Sequence, residues 1–385
     1  MSIFKCWALG FLFYWGVPSF GQNIVHPLGA FHLDSTTRWL EQAFDARITD
    51  SVTLIGLGEV VHGGREVTRF KAKMVQYLIE KKGVRTFLFE YPNAKLSMVD
   101  YYLGESQYKN EDTLKLMAGY ALAGSLYDRS FLDLLCWIKR YNLAHASDRV
   151  ALKGVDISGA AGSFNYFFML NFGSLLDSGM RVDIEKGGDS VTHKLIRWFY
   201  GHTGFLQSKV KQYYGELLYN VQSAECNLAH DALQQHDFYG SAYYRDTVMA
   251  RNIEAHRGTK AVFWAHNMHV TTADYAVNAG NILKADLGQR YYVIVTDFSG
   301  NARVLRAEKT GMKENSFTPD KRTLVYQLSR KEHTDQGIVF YDELGKRPAL
   351  FGSVGTYGDY MMLGKGKGFD ALVEFNEITP DSQNF

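Results

Sequence analysis

Proline is scarce in this sequence, with 6 in 385 residues, and cysteine is scarcer, with 3. No Pro- or Ser-rich linker, low-complexity tract or internal repeat interrupts the chain, so it does not read as modules on flexible tethers. Charge of one sign is lacking as well. Lys and Arg number 42 against 41 Asp and Glu, a formal net charge of +1. Without a basic excess to neutralise phosphates, nucleic-acid binding is disfavoured. Long apolar runs are absent too. The nine residues Trp7 to Trp15 fall far short of the ~20 that a membrane-crossing helix needs. What remains is an ordinary globular balance, 46 % hydrophobic and 22 % charged, with one excess: aromatics make 14 % of the chain. Disordered, collagen-like and coiled-coil classes are excluded.

The first 21 residues have the order of a secretory signal. Lys5 supplies the positive start, Trp7 to Trp15 the apolar centre, and Pro18-Ser19-Phe20-Gly21-Gln22 a polar stretch with small residues. Their removal takes away one charge, Lys5, and leaves a neutral mature chain. The expectation is a periplasmic or secreted protein with no membrane span. Of the cysteines, Cys6 lies in this leader. Cys136 sits in the apolar stretch Phe131–Ile138 and is expected to be buried and inert, and nothing in the sequence places Cys226 beside it.

Six segments read as strands: Thr53–Gly58, Thr86–Glu90, Val150–Ile157, Ala261–Ala265, Tyr291–Asp297 and Gly337–Tyr341, with Ala371–Ile378 as a seventh. Most are continuously apolar, as strands covered on both faces are. Between them lie helical patterns. In Arg65–Lys82, Val67, Phe70, Met74, Tyr77 and Leu78 recur at spacings that gather on one helix face. Alternation of this kind predicts an α/β fold with a central, mostly parallel or mixed sheet flanked by helices. Residues 164–244 break the alternation with helical patterns, His193–Tyr200 and Leu206–Gln235 the clearest, and hold sixteen aromatics. They read as a helical insertion forming a lid over the site, within one domain of residues 22–385.

The strand ends carry the chemistry. The first strand runs into Glu59 with His62 three residues on; the next runs into Glu90, the third into Asp156, and Ala261–Ala265 into His266, Asn267 and His269. In a parallel sheet these ends share one edge, where ligands bind. Gly63 and Gly64 allow a tight turn after His62, which is then placed at the start of the Arg65–Lys82 helix. The helix dipole favours a neutral imidazole there, and that suits a general base. Glu59 or Glu90 can accept the other ring N–H and fix the tautomer. The candidate catalytic set is therefore His62, Glu59, Glu90 and His266. His269, Lys71, Arg245, Asn267, Arg65 and Asp156 are candidates for substrate contact. Arg245 has two readings: it binds an anionic group, or it forms an ion pair with Asp246 or a site carboxylate such as Glu90.

No Gly-x-Ser-x-Gly elbow, Walker loop or strand-following GxGxxG is present, and no cysteine ends a strand. Serine-hydrolase, nucleotide-binding and thiol chemistries lose their usual support. The acid–base reading calls for no cofactor. Glu59, His62, Glu90 and His266 would also suit a metal-dependent hydrolase, and the same crevice could serve a binding protein for an aromatic, glycosylated or lipidic ligand.

Five blocks carry a resemblance: Gly56-Leu57-Gly58-Glu59-Val60-Val61-His62 with Arg65-Glu66; Phe87–Glu90; Gly154-Val155-Asp156; Arg245-Asp246-x-x-Met249-Ala250; and Ala265-His266-Asn267-x-His269. With the terminal strand leading to Ile378-Thr379-Pro380, they span about residues 40–380. The sequence resembles the erythromycin esterase family. The resemblance implies a hydrolase without a covalent serine, in which His62 activates a water that attacks a small-molecule ester, in the family a macrolactone. Glu59, Glu90, His266 and His269 complete that site. Lys71 stands where the macrolide-resistance enzymes carry an arginine, keeping the charge without the bidentate fork.

Overall fold

The structure is a computed structural model. It describes residues 24–27, 37–122, 129–157, 189–205, 242–273, 277–308, 311–332, 336–347, 349–354, 360–363 and 367–380, with isolated positions between 173 and 226. The expected leader and most of the expected insertion, including nearly all of Leu206–Gln235, lie outside the described residues.

The strands are β1 (His26–Pro27), β2 (Leu54–Glu59), β3 (Thr86–Pro92), β4 (Ala151–Asp156), β5 (Ala261–His266), β6 (Tyr291–Glu308), β7 (Gly311–Phe317), β8 (Gln336–Phe340), β9 (Phe351–Val354), β10 (Tyr360–Leu363) and β11 (Ala371–Ile378). The helices are α1 (Arg38–Phe44), α2 (Arg65–Lys82), α3 (Asn93–Gly104), α4 (Glu111–Ala121), α5 (Arg129–Ala144), α6 (Asp189–Gly201), α7 (Ala242–His256), α8 (Asn267–Val270), α9 (Ala279–Leu287) and α10 (Leu324–Glu332). One sheet runs β1-β8-β11-β6-β2-β5-β3-β4, with β7 beside β6. From β11 to β4 every neighbouring pair is parallel. β8 pairs antiparallel with β11, and β9 and β10 form a separate antiparallel pair. The expected α/β architecture is the observed one.

Side chains alternate across the strands and build two cores. Ile55, Leu57, Phe87, Phe89 and Trp264 pack with α2 and α5 on one face. Leu54, Leu88, Phe263 and Val293 pack with α7, α9 and α10 on the other. Helix α2 has the expected bounds, and all five of its predicted face residues are buried. It ends at Gly83, whose φ of 71° is the left-handed conformation that stops a helix. Cys136 and Cys226 are both buried and unpaired with each other.

β6 is much longer than expected. It pairs with β2 only from Tyr291 to Tyr292, Val293 and Ile294, then continues into a hairpin with β7. From Asn301 on its burial alternates, Ala302 and Val304 inside and Arg303 and Leu305 partly exposed. A search for continuous apolar character therefore stops where the strand becomes half-solvated. Among the described residues no helix is long and apolar enough to cross a membrane.

Candidate active site

Glu59, Glu90, Asp156 and His266 stand at or next to the carboxyl ends of four adjacent parallel strands. Glu59 and His266 are register partners in β2 and β5. The sheet's pleat then sorts the strand ends. Glu59 continues the Ile55–Leu57 row toward α2, whereas Glu90 follows Phe89 and turns to the opposite face, toward α7. Two charged groups result.

The first group is built on Glu59, a buried carboxylate. One oxygen meets His62 Nδ1. The other accepts from Lys71 Nζ at 2.8 Å and from Trp264 Nε1 at 2.8 Å. Lys71 also donates to the Ala265 carbonyl at 3.1 Å and lies 4.4 Å from the Trp264 ring centre. The chain reverses at Gly63, φ 77°, and α2 begins at once, which swings Lys71 under the carboxylate. The His62 side chain keeps 40 % of its exposure while Glu59 keeps 2 % and Lys71 none. Burial opposes charge on Glu59, but Lys71 and His62 outweigh it and hold the carboxyl at about 2. Burial drives the Lys71 ammonium down to about 8 in spite of Glu59.

His62 departs from expectation in its protonation. Burial and Lys71 push its pKa down, but the hydrogen bond and the charge of Glu59 prevail, and the net shift is upward. A carboxylate in contact outweighs a helix end. Neutral His62 then carries its proton on Nδ1, toward Glu59, and Nε2 is the basic nitrogen.

The second group is built on Glu90. Arg245, from α7, reaches it at 2.8 Å and grips Asp156 with two bonds of 2.8 and 2.7 Å. His269 lies between Glu90, 3.2 Å from Nε2, and Asp246, 2.8 Å from Nδ1. Although burial disfavours its charge, those two carboxylates raise its pKa to about 10 and keep it an imidazolium. Asp246 also caps the backbone N–H of Ala279. Of the two readings of Arg245, the ion pair with site carboxylates is the observed one.

His266 lies between the groups. Its backbone N–H donates to Glu90 at 2.7 Å, and its ring centre is 4.9 Å from that of His62. Burial and the neighbouring His62 lower its pKa to about 3, so it is neutral. Its Nε2 is 3.1 Å from both the Val354 carbonyl and Ser353 Oγ on β9.

Three further candidates for substrate contact make bonds within the protein. Lys71 is fully buried beneath Glu59. Asn267 straps three elements, donating to Thr296 and Gly352 carbonyls at 2.7 and 3.0 Å. It packs so closely that a Cβ on Gly58 would stand 2.3 Å from its Oδ1. Arg65 donates to the Pro380 carbonyl at 3.0 Å and ties α2 to the end of β11.

Asp297 was not among the candidates. It is buried on β6, accepting from Tyr360 Oη at 2.9 Å and from the Gly352 and Phe298 N–H groups at 2.9 and 2.8 Å. Burial outweighs these donors and raises its pKa to about 7. The signal was available, since Asp297 ends an apolar strand as Asp156 does. Ser353 and Tyr360 had none, lying on four-residue strands. Among the described residues, no three His, Cys, Asp or Glu side chains converge as a metal-holding set.

Fold and site define an α/β protein with a carboxylate-held, half-open histidine at the carboxyl edge of a mixed sheet. The family model described as erythromycin esterase matches residues 208–338, which include Arg245, His266 and His269. Over those residues, about a third of its length, the chain is similar to the erythromycin esterase family. No curated protein matches it in sequence. Three solved structures share the fold. A succinoglycan biosynthesis protein has TM-score 0.66 at 18 % identity, covering 92 % of this chain and 95 % of that one. A Bacillus cereus protein has TM-score 0.61 at 20 % identity, covering 93 % and 96 %. A mutant of the erythromycin esterase EreC in its open conformation has TM-score 0.56 at 14 % identity, covering 89 % and 94 %.

Proposed function

We propose that the protein is an exported hydrolase that opens a carboxylic ester, a macrolactone among the candidates, by histidine-activated water. The observation that carries this reading is His62: a half-exposed imidazole whose Nδ1 is fixed by a buried carboxylate. Nε2 takes a proton from water as the water oxygen attacks the carbonyl carbon. The imidazolium so formed is stabilised by Glu59. Collapse of the tetrahedral intermediate breaks the acyl C–O bond, and the proton on Nε2 passes to the leaving alkoxide. The products are an acid and an alcohol, with one water gained and no acyl-enzyme. His266, neutral and adjacent, packs beside the base with its ring N–H donated to the Val354 carbonyl at 3.1 Å. General-base assistance and oxyanion stabilisation each account for roughly 3–5 kcal/mol of barrier. Support for the ester class comes from the family match; the leader expected in residues 1–21 supports export.

The test is incubation of purified protein with macrolides and a panel of simple esters, read by mass for the gain of one water. Hydrolysis that His62→Ala abolishes supports the reading. Loss of activity on chelation, with metal found in the purified protein, would replace it by the metal-dependent alternative. Binding without product, indifferent to His62→Ala, would replace it by the binding-protein alternative.

A further inference from the structure

The base and its carboxylate raise a question of charge. Glu59 is buried and ionised, and two groups of potential positive charge touch it, His62 on one oxygen and Lys71 on the other. A buried carboxylate requires a counter-charge, and one suffices. If His62 were that counter-charge it would remain an imidazolium and could not accept a proton from water. Lys71 is placed to relieve it. Its three donor directions are taken by Glu59 Oε2, the Ala265 carbonyl and the face of Trp264, and none is left for a substrate. A fully buried ammonium directed at the carboxylate from below has no evident use except electrostatic.

Resting on the reading of His62 as the base, we propose that Lys71 is the positioning residue of the site: it supplies the positive charge that the Glu59 carboxylate requires, so that His62 can be neutral while the carboxylate stays ionised. The charged groups facing Lys71 are Glu59 from β2, Glu90 from β3 and His62 from the following loop. β5 contributes only Trp264 and the Ala265 carbonyl. Of the charged groups, Glu59 alone is in hydrogen-bonding contact with Lys71, so the exchange of charge is confined to Lys71, Glu59 and His62. The direction follows from electrostatics. Removing the cation strengthens the pull of Glu59 on the imidazole proton and removes the repulsion between two cations, and both effects make His62 harder to deprotonate.

The experiment is an NMR titration of the His62 ring, its resonance assigned by its disappearance in His62→Gln. It is made on the wild type, Lys71→Met and Lys71→Arg without any substrate. Lys71→Met should raise the His62 pKa by a unit or more, and Lys71→Arg should leave it at or below the wild-type value. An unchanged or lowered pKa in Lys71→Met overturns the proposal. If Lys71→Met does not fold, Lys71→Arg decides alone, because a rise in its His62 pKa would overturn the proposal and a value at or below wild type sustains it. Once a substrate is in hand, the acid limb of kcat/KM in Lys71→Met should move up with the ring pKa, costing tenfold or more at pH 6 and recovering toward pH 9. A merely structural lysine would lower activity equally at all pH values. Since the titration needs no turnover, failure of the ester reading and failure of this proposal remain distinguishable.

Discussion

The Glu59 and Glu90 groups stand on the ends of β2 and β3, on either side of β5, each with a carboxylate, a histidine and a basic side chain, yet they are built for different tasks. Around Glu90, Arg245 and His269 are both held charged by carboxylates. His269 is locked between two acids, with Arg245 Nη1 at 3.1 Å from its Nε2 as well. Around Glu59 the cation is buried below and His62 keeps 40 % of its exposure above, its pKa raised against burial by Glu59 first and by Glu90 as well. Density of charge does not distinguish the groups. What distinguishes them is whether a lone pair can face solvent with its counter-charge held elsewhere.

The sharpest way to break this contrast is His62→Ala. If the open group is the reactive one, turnover should fall by about 10²–10⁴-fold with the fold retained by circular dichroism. Because the His62 pKa is raised, the wild-type rate should climb with pH through a midpoint above the ordinary imidazole range. Arg245→Met attacks the other group and should show chiefly as lost stability. It strips the cation from Glu90 and Asp156 and should cost roughly 2–4 kcal/mol in denaturant unfolding, less than a sealed pair because Arg245 keeps 31 % of its exposure. Equal damage to turnover at unchanged stability would erase the distinction.

Much of this edge was legible in the sequence because each functional residue interrupts a strongly apolar strand. Glu59, Glu90, Asp156 and His266 stand out for that reason, and parallel pairing brings their strand ends together. Which face each takes was not legible, since continuous apolar runs conceal the alternation. Thus Lys71 and Asn267, expected beside a substrate, are buried in internal bonds that only three-dimensional packing reveals. Asp297 shared the strand-end signal, but its partner Tyr360 comes from β10, a strand too short to announce itself. The charge of His62 depends on a contact to Glu59 that overrides the helix-end argument, and no local rule weighs the two.

His269→Gln sharpens the contrast through pH. The folded pKa of His269, about 10, lies above the usual imidazole value of 6.5. Its charge therefore contributes stability that is fully present below about pH 6.5 and lost as pH rises through 10. The stability difference between wild type and His269→Gln should narrow across that window, and a constant difference would mean that His269 is not held charged. The effect is smaller than that of Arg245→Met because Gln can still donate to one of the two acids.

The smallest effect is expected one layer away, at Tyr360. Its hydroxyl donates to the buried Asp297, whose other oxygen accepts from Gly352 on β9, and β9 presents Val354 and Ser353 to His266. Tyr360→Phe removes one donor from an acid already burdened by burial, and should destabilise by about 1–2 kcal/mol. With the pKa of Asp297 raised further, protonation should extend to higher pH. Asp297 destabilises the fold as it ionises, from about pH 4 upward through its folded value of about 7. The variant's deficit should therefore be smallest near pH 5 and grow toward pH 8, and turnover should change by less than tenfold. A loss of turnover approaching that of His62→Ala would place the β9–β10 hairpin inside the reactive group, and the boundary between the two regions would have to be redrawn around His266.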